Sequence, residues 1–480
     1  MRVNLEEDYD VPYWRRQIEQ NTFSAVDIVW FHLERIATWD QSGPSLNSVA
    51  ELNPDALAIA EALDAGDRRG PLFGVPVMVK DNIDTGDKMH TTAGSLALAE
   101  SYATADAPLV VRLRRAGAIL LGKTNLTELA NFMSDHMPNG YSGRGGQVLN
   151  PYGPGQLDTG GSSAGSGVAV AAGLVPLAIG TETSGSILSP ASQNSVVGIK
   201  PSMGLVSRTG IIPIAHSQDT AGPMTTTVRD AALVLGVIAG PDPNDPITLS
   251  SPFGEAHDFT QYLDARRLAG ARLGLVGQGY QRDWTESDRV VMRRAVEDLR
   301  TLGAYVHEDV RLPDREEVSY EVLIHEFKVG LNAYLRQLGP RASVHSLGEL
   351  IRFNHQNAEK SLKYGQSILL QSEATRGTLL EACYWKCRKQ DLEWSRTNGI
   401  DAALDTHQLD ALLFYGNYGA NIAARAGYPS ITIPAGYRDD DGKPIGLTFT
   451  GRRFSEPVLL GLAYAYEQGT RRRRPPRFDS

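Results

Sequence analysis

Three short segments of this chain carry residues that could act together in nucleophilic catalysis. Lys80 ends the apolar run VPVMVK, Ser162 lies in GGSSAGS, and Ser186 ends TETSGS. A serine hydroxyl is a weak nucleophile until a neighbouring base takes its proton, and none of these segments contains a histidine; His216 is the nearest one in sequence. A lysine can act as that base where burial keeps it neutral. Lys80 is therefore the candidate base, and Ser162 could relay the proton from Ser186.

The small residues of TETSGS predict a tight loop before a helix that starts near Ser189. Such a turn can direct several backbone N–H groups at one oxygen, as a tetrahedral oxyanion requires. A non-catalytic alternative is that GGSSAGS holds an anion at a helix N-terminus. That segment lacks the terminal Gly-Lys-Ser/Thr of a P-loop.

Together, VKDNID, GGSSAGS and the run GSILSPASQNSVVGIKPSMGLVSRTGIIPIAHSQDTAGPM resemble the amidase signature family. The resemblance implies a Ser-cisSer-Lys triad that cleaves amide bonds through an acyl-enzyme, without a cofactor or a metal ion. In it, Lys80 is the base, Ser162 is the bridging serine in a cis peptide, and Ser186 is the nucleophile. The implied oxyanion hole and the residue that orients its loop are the N–H groups of Thr183, Ser184, Gly185 and Ser186, and Thr181.

The chain also departs from the family pattern. Ala164, Glu182 and Ser184 stand where the family commonly has Gly, Asp and Gly. Many members have an arginine just after the nucleophile, where this chain has Ile187, Leu188 and Ser189. We therefore expect a small, neutral and apolar amide or hydrazide as substrate, since no cation is placed there to hold a carboxylate. The candidate pocket residues are Met133, Tyr141, Ile187, Leu188, Tyr415 and Asn417.

Within the family, SGRGGQ and HSQDTAGPM are most similar to peptide amidases and related bacterial amide or hydrazide hydrolases. The stretch FYGNYGANIAARAGYPS is shorter than in peptide amidases, which argues against peptide specificity. The alternative within the family is the glutamine-hydrolysing A subunit of a tRNA-dependent amidotransferase.

The elements around these segments predict an α/β fold with a mixed central sheet covered by helices on both faces. Strands are expected at GVPVMVK, AILLGKTN, VPLAIG, VVGIK, GARLGLVG, DALLFYG, SITIPAGY and GLTFTG, with short helices at PLVVRLRRAG and NLTELAN. We expect residues 1–480 to form a single domain. Within it, 1–65 is an N-terminal helical segment, 134–162 a long loop, and 315–400 a mainly helical insertion.

Composition narrows the class of partner. The net charge of −9 argues against nucleic acid. No apolar run reaches the ~20 residues of a membrane span, and the N-terminus lacks a signal peptide. The two cysteines, Cys383 and Cys387, lie four apart on a predicted helix and are interpreted as structural thiols. A cytoplasmic protein, compatible with a homodimer, is the expectation.

Overall fold

The computed structural model describes residues 9–67, 69–277, 279–281, 283–313, 319–340 and 342–478. The strands are β1 (Val49–Leu52), β2 (Pro76–Lys80), β3 (Ile119–Thr124), β4 (Tyr141–Ser142), β5 (Gly146–Gln147), β6 (Leu177–Glu182), β7 (Val197–Lys200), β8 (Thr220–Thr225), β9 (Arg272–Val276), β10 (Tyr305–Val310), β11 (Ala411–Tyr415), β12 (Ser430–Tyr437) and β13 (Pro444–Thr450). The helices are α1 (Val11–Glu19), α2 (Ala25–Arg35), α3 (Ala56–Ala65), α4 (Pro108–Arg115), α5 (Glu128–Asn131), α6 (Ala164–Ala171), α7 (Leu188–Gln193), α8 (Val228–Ile238), α9 (Glu286–Thr301), α10 (Glu321–Gln337), α11 (Leu347–Gln356), α12 (Ala358–Ser361), α13 (Ser367–Glu373), α14 (Ala382–Leu392), α15 (Asp401–His407), α16 (Ala420–Ala426) and α17 (Glu456–Thr470).

Eleven strands form one mixed sheet in the order β1-β3-β2-β6-β8-β7-β12-β13-β11-β9-β10. The trios β3-β2-β6 and β11-β9-β10 are parallel, whereas the other neighbours are antiparallel. Val79 of β2 pairs with Lys123 of β3 and with Ile179 of β6. Because β2 and β6 run in the same direction, the residues that end them, Lys80 and Glu182, meet at one edge of the sheet.

Helices cover both faces of the sheet, as the sequence predicts. Side chains alternate along β2, so that Val77 and Val79 enter one core cluster and Met78 enters the other. The first cluster includes residues of α4, α8, α9 and α17, and the second includes residues of α2, α3, α6 and α7. Lys80 follows Met78 by two residues and is therefore on the side of the sheet where α6 begins.

The predicted N-terminal helical segment is interrupted by a strand. Between α2 and α3, the short run β1 pairs antiparallel with β3 and forms one edge of the sheet. The sequence does not predict β8, because Gly222 and Pro223 are residues that strands disfavour. The loop 134–162 contains the small β4–β5 hairpin.

The predicted helix NLTELAN is wrong in its handedness. Leu129 and Ala130 of α5 have φ of 49° and 56°, so this single turn is left-handed. Its N-terminal side is held by the Leu129 N–H, which donates to Ala93 O at 2.8 Å. Apolar spacing reports the face of a turn but carries no information about its hand.

The predicted helical insertion is mainly helical over its described part, from α10 to α14. Residues 315–318, where the sequence predicts its start, lie outside the described residues. None of the helices in the described part of the chain has the length and apolarity to cross a membrane.

Candidate active site

Lys80 is the fully buried last residue of β2 and lies among hydroxyl groups. Its Nζ is 2.8 Å from Ser162 Oγ and 2.9 Å from Thr181 Oγ1. Asn82 Nδ2 donates to the same Thr181 hydroxyl at 3.0 Å. Thr181 therefore orients the lysine directly, in addition to standing at the start of the loop as the sequence indicates.

Burial lowers the pKa of Lys80 to about 7, while the negative charges of Glu182 and Asp219 act in the opposite direction. An ordinary lysine has a pKa of about 10.4 and is almost entirely protonated at neutral pH. With a pKa near 7, about half of the Lys80 side chains are neutral at that pH. The lysine can thus accept a proton under mild conditions.

Ser162 stands immediately before α6, and the Gly161–Ser162 peptide bond is cis, as the resemblance implied. Gly161 is packed so closely that a Cβ would lie 2.6 Å from Asn139 Oδ1 and 2.7 Å from Thr127 Oγ1. The next residue, Ser163, donates its N–H to Ser186 O at 3.0 Å. That hydrogen bond ties the GGSS segment to the nucleophile.

The loop between β6 and α7 is held by the carboxylate of Glu182. Glu182 Oε1 accepts the Gly185 N–H at 2.7 Å, and Oε2 accepts the N–H groups of Ile187 and Leu188 at 2.7 and 3.0 Å. Gly185 has φ of +85°, a backbone conformation that favours glycine. Ser186 lies within this clamped turn and is 7% exposed.

These contacts change the oxyanion hole implied by the resemblance. The Gly185 N–H is directed at Glu182, so its assignment as an oxyanion donor is corrected. In the part of the chain that the structure describes, the N–H groups of Ser184 and Ser186 have no hydrogen-bond partner. The Thr183 N–H remains a predicted donor; its hydroxyl donates to Asp219 Oδ1 at 2.5 Å.

Glu182, Asp219 and Asn421 support the loop, a role that the sequence does not predict for any of them. Asp219 Oδ2 accepts the N–H groups of Ile214 and Ala215, both at 2.9 Å. Burial raises the pKa of Asp219 to about 6. Ser184 Oγ donates to Asn421 Oδ1 at 2.7 Å, across 237 positions of sequence. Glu182 and Asp219 lie inside recognisable motifs, whereas nothing in the local sequence marks Asn421.

Three of the candidate pocket residues belong to the core. Met133 is fully buried in the cluster that includes α10, and Ile187 packs against Gly180 and Gly198 between β6 and β7. Tyr415 faces α9, where its hydroxyl donates to Asp288 Oδ1 at 2.6 Å. For these three, the pocket assignment is corrected, because their side chains already pack inside the fold.

The other three differ in accessibility. Leu188 is also fully buried, which is inconsistent with a pocket-lining side chain. Tyr141 is partly exposed on β4, with its ring 4.9 Å from that of Tyr364. Asn417 lies against the nucleophile loop, since a Cβ on Gly185 would be 3.1 Å from its Nδ2. Tyr141 and Asn417 remain candidates.

A cavity of about 610 Å³ opens beside Thr181–Thr183. Its other walls come from β2's polar continuation, from the 208–216 segment and from α10. The lining includes Asn82, Ala130, Ile212, His216, Asp219 and Tyr334. One end of the left-handed α5 turn therefore faces the same space as the loop that carries Ser186.

Comparison with known proteins agrees with this geometry. The family model described as Amidase matches residues 27–460. A probable amidase of Arabidopsis thaliana is 41% identical over 97% of this chain and 90% of its own length. The peptide amidase of Stenotrophomonas maltophilia has a TM-score of 0.92 and 44% identity, covering 98% of this chain and 99% of the other.

The catalytic component of a tRNA-dependent amidotransferase is a more distant relative. The A subunit of the glutamyl-tRNA(Gln) amidotransferase of Synechococcus is 33% identical over 95% of this chain and 96% of its own length. The matches extend over nearly the entire chain, including all three segments that meet at Lys80. The chain therefore belongs to the amidase family, whose members hydrolyse carbon–nitrogen amide bonds.

Proposed function

We propose that this amidase works through Ser186, with Ser162 and Lys80 as its proton relay. The observation that carries the proposal is the buried Lys80 Nζ, 2.8 Å from Ser162 Oγ, with its pKa lowered to about 7. Neutral Lys80 takes the Ser162 proton while Ser162 takes the proton of Ser186. The Ser186 oxygen then attacks the amide carbonyl.

The negative oxygen of the tetrahedral intermediate accepts the N–H groups of Ser184 and Ser186. The relay returns its proton to the leaving nitrogen, the C–N bond breaks, and Ser186 is left acylated. Water then enters, loses a proton to the same relay and releases the acid. Each proton taken from Ser186 or water is returned to the amine or to Ser186, so the enzyme ends the cycle unchanged.

The proposed acyl group is neutral and apolar. Ile187 and Leu188 follow the nucleophile, and both are buried, so no cation extends from that turn toward a substrate carboxylate. The similarity to a peptide amidase makes carboxamides at the ends of peptides the first compounds to test. Small aryl amides and hydrazides with apolar acyl groups are the second class.

Matched substrates separate these classes. One blocked apolar dipeptide should be prepared as its primary amide, its anilide and its hydrazide, with a fourth compound carrying aspartate in place of the apolar residue before the amide. We expect turnover of the neutral compounds and at least 10-fold lower kcat/KM for the aspartate compound. Equal rates for the aspartate compound would contradict the proposed preference.

The serine assignment has its own test. Ser186→Ala should lose at least 10³-fold in kcat on every substrate, as expected when an activated nucleophile is removed. Mass spectrometry of the wild-type enzyme quenched during turnover should show the acyl group on the peptide that contains Ser186. Full activity of Ser186→Ala, or acylation at another residue, would refute the mechanism.

The amidotransferase alternative predicts a partner-dependent glutaminase. We expect the purified chain to hydrolyse neutral amides alone and to leave glutamine intact; glutaminase activity that appears with a partner protein would favour the alternative. A cytoplasmic location and a homodimer remain proposals, and sedimentation of the purified chain tests the second.

A further inference from the structure

A cluster of metal-ligating side chains lies where α10 meets α14. Glu321, His325 and Cys383 each offer a ligand atom, and these atoms all lie within 4.8 Å of one another. Glu321 and His325 are four residues apart on α10 and so share one face of that helix. None of these residues belongs to the proposed relay.

The histidine is oriented as a metal ligand would be. His325 Nδ1 is 2.9 Å from the backbone oxygen of Glu321, and a carbonyl can only accept a hydrogen bond. Nδ1 therefore carries the proton, and in the neutral ring Nε2 presents its lone pair. Metal-binding histidines commonly use one ring nitrogen in this manner to fix the other.

The free nitrogen points at a thiol and a carboxylate. Cys383 Sγ is 3.8 Å from His325 Nε2, and Glu381 Oε1 is 4.0 Å from the same nitrogen. A tetrahedral zinc site has an S···N edge of about 3.5 Å, from Zn–S of about 2.3 Å and Zn–N of about 2.0 Å. A shift of a few tenths of an ångström would close the observed edge to that distance.

The carboxylates have capacity to spare. Glu381 Oε1 accepts the Arg376 N–H at 2.7 Å, but its Oε2 is buried and has no hydrogen-bond partner within the described part of the chain. Glu321 is partly exposed, which gives an ion a route from solvent. Sulfur, imidazole and carboxylate together are the donor set preferred by Zn²⁺ and Co²⁺ over Mg²⁺ or Ca²⁺.

We propose that His325, Cys383, Glu381 and Glu321 bind one Zn²⁺-class transition-metal ion that joins α10 to α14. On binding, the Cys383 thiol loses its proton to solvent and sulfur coordinates as the thiolate. The site is separate from amide hydrolysis and leaves the charge of the Lys80 relay unchanged.

Cobalt titration of the full-length enzyme, with any affinity tag removed, tests the site. Co²⁺ bound by a thiolate gives a near-ultraviolet charge-transfer absorption, which should saturate at one ion per chain and disappear when Zn²⁺ is added. Cys383→Ser should lose this absorption and bind at least 10-fold more weakly. Cys387→Ser is the matched control, one helical turn further along α14, and should titrate as the wild type does.

Thermal unfolding gives a second measurement. Zn²⁺ should raise the melting temperature of the wild type and of Cys387→Ser, with little effect on Cys383→Ser, whose exposed position leaves the metal-free fold intact. Absence of the absorption in the wild type would overturn the proposal. So would its loss in Cys387→Ser or its persistence in Cys383→Ser.

Discussion

At the scale of single residues, the site depends on a lysine kept close to neutrality. Burial acts on Lys80 in one direction, and the carboxylates of Glu182 and Asp219 act in the other. The balance leaves the amine basic enough to accept a proton and not so basic that it is always protonated. This balance has a direct consequence for the pH dependence of the enzyme.

We expect kcat/KM to rise with pH through about 7, the pKa of Lys80, because only the neutral amine can accept the serine proton. Asp219→Asn removes a negative charge that favours protonated Lys80, so the lysine pKa falls and this limb moves to lower pH. Initial rates of both proteins from pH 5 to 9 provide the measurement. A limb that stays in place would show that Asp219 does not act on the lysine.

Glu182 should matter through the loop that it clamps. In Glu182→Gln, the amide NH₂ replaces one acceptor and leaves at least one of the loop N–H groups unsatisfied, a cost of about 1–3 kcal/mol. We expect kcat to fall by roughly 10- to 100-fold, with a smaller change in KM. Glu182→Asp retains the charge and is the control. Wild-type kcat in the glutamine variant would remove Glu182 from the loop's support.

The sequence was sufficient for the three residues of the relay because each lies in a continuous motif. It was insufficient for Asn417 and Asn421, which approach the loop from the other half of the chain. Such contacts follow from the strand order of the sheet and have no local signal. The pocket predictions failed for a similar reason, since apolar residues beside a nucleophile pack as core as readily as they line a pocket.

At the scale of elements, periodicity predicted most helices and strands but not their edges or exceptions. Thr227 caps α8 by accepting the Asp230 N–H at 3.1 Å, which matches the expected Thr cap. β8 could not be predicted because its pairing with β6 and β7 overrides the poor strand propensity of Gly222 and Pro223. The left-handed α5 turn required tertiary contacts for the same reason.

The junction of α1 with α8 should make stability pH-dependent. Burial, together with the charges of Asp10 and Glu467, raises the pKa of Asp230 to about 8, while its Oδ2 accepts the Val11 N–H at 3.1 Å. The folded state therefore holds a proton that the unfolded state releases near pH 4, so this contribution to stability is lost as pH rises toward 8.

Asp230→Asn keeps an acceptor for Val11 and removes the titration. We expect its free energy of unfolding to exceed that of the wild type by about 1–2 kcal/mol at pH 9, with a smaller gain at pH 5. Urea denaturation at both pH values measures the difference, and Asp264→Asn on an exposed turn is the control. A gain that does not change with pH would contradict the assignment.

At the scale of the whole molecule, one sheet collects strands from Val49 to Thr450. We propose on this basis that the chain is a single domain, and we expect a single cooperative thermal transition, with equal calorimetric and van't Hoff enthalpies. Differential scanning calorimetry of the metal-free protein is the measurement. Two resolved transitions would show that the helical segment or the C-terminal strands unfold independently.

The strand order also governs how the protein emerges from the ribosome. β9 and β10 join the sheet only through β11, which is synthesised about 135 residues after β9 ends. At 5–20 residues per second, that delay is roughly 7–27 s. During this interval the nascent chain carries a strand pair whose inner edge has no neighbour, and chaperones that bind unpaired strands have their longest opportunity to act.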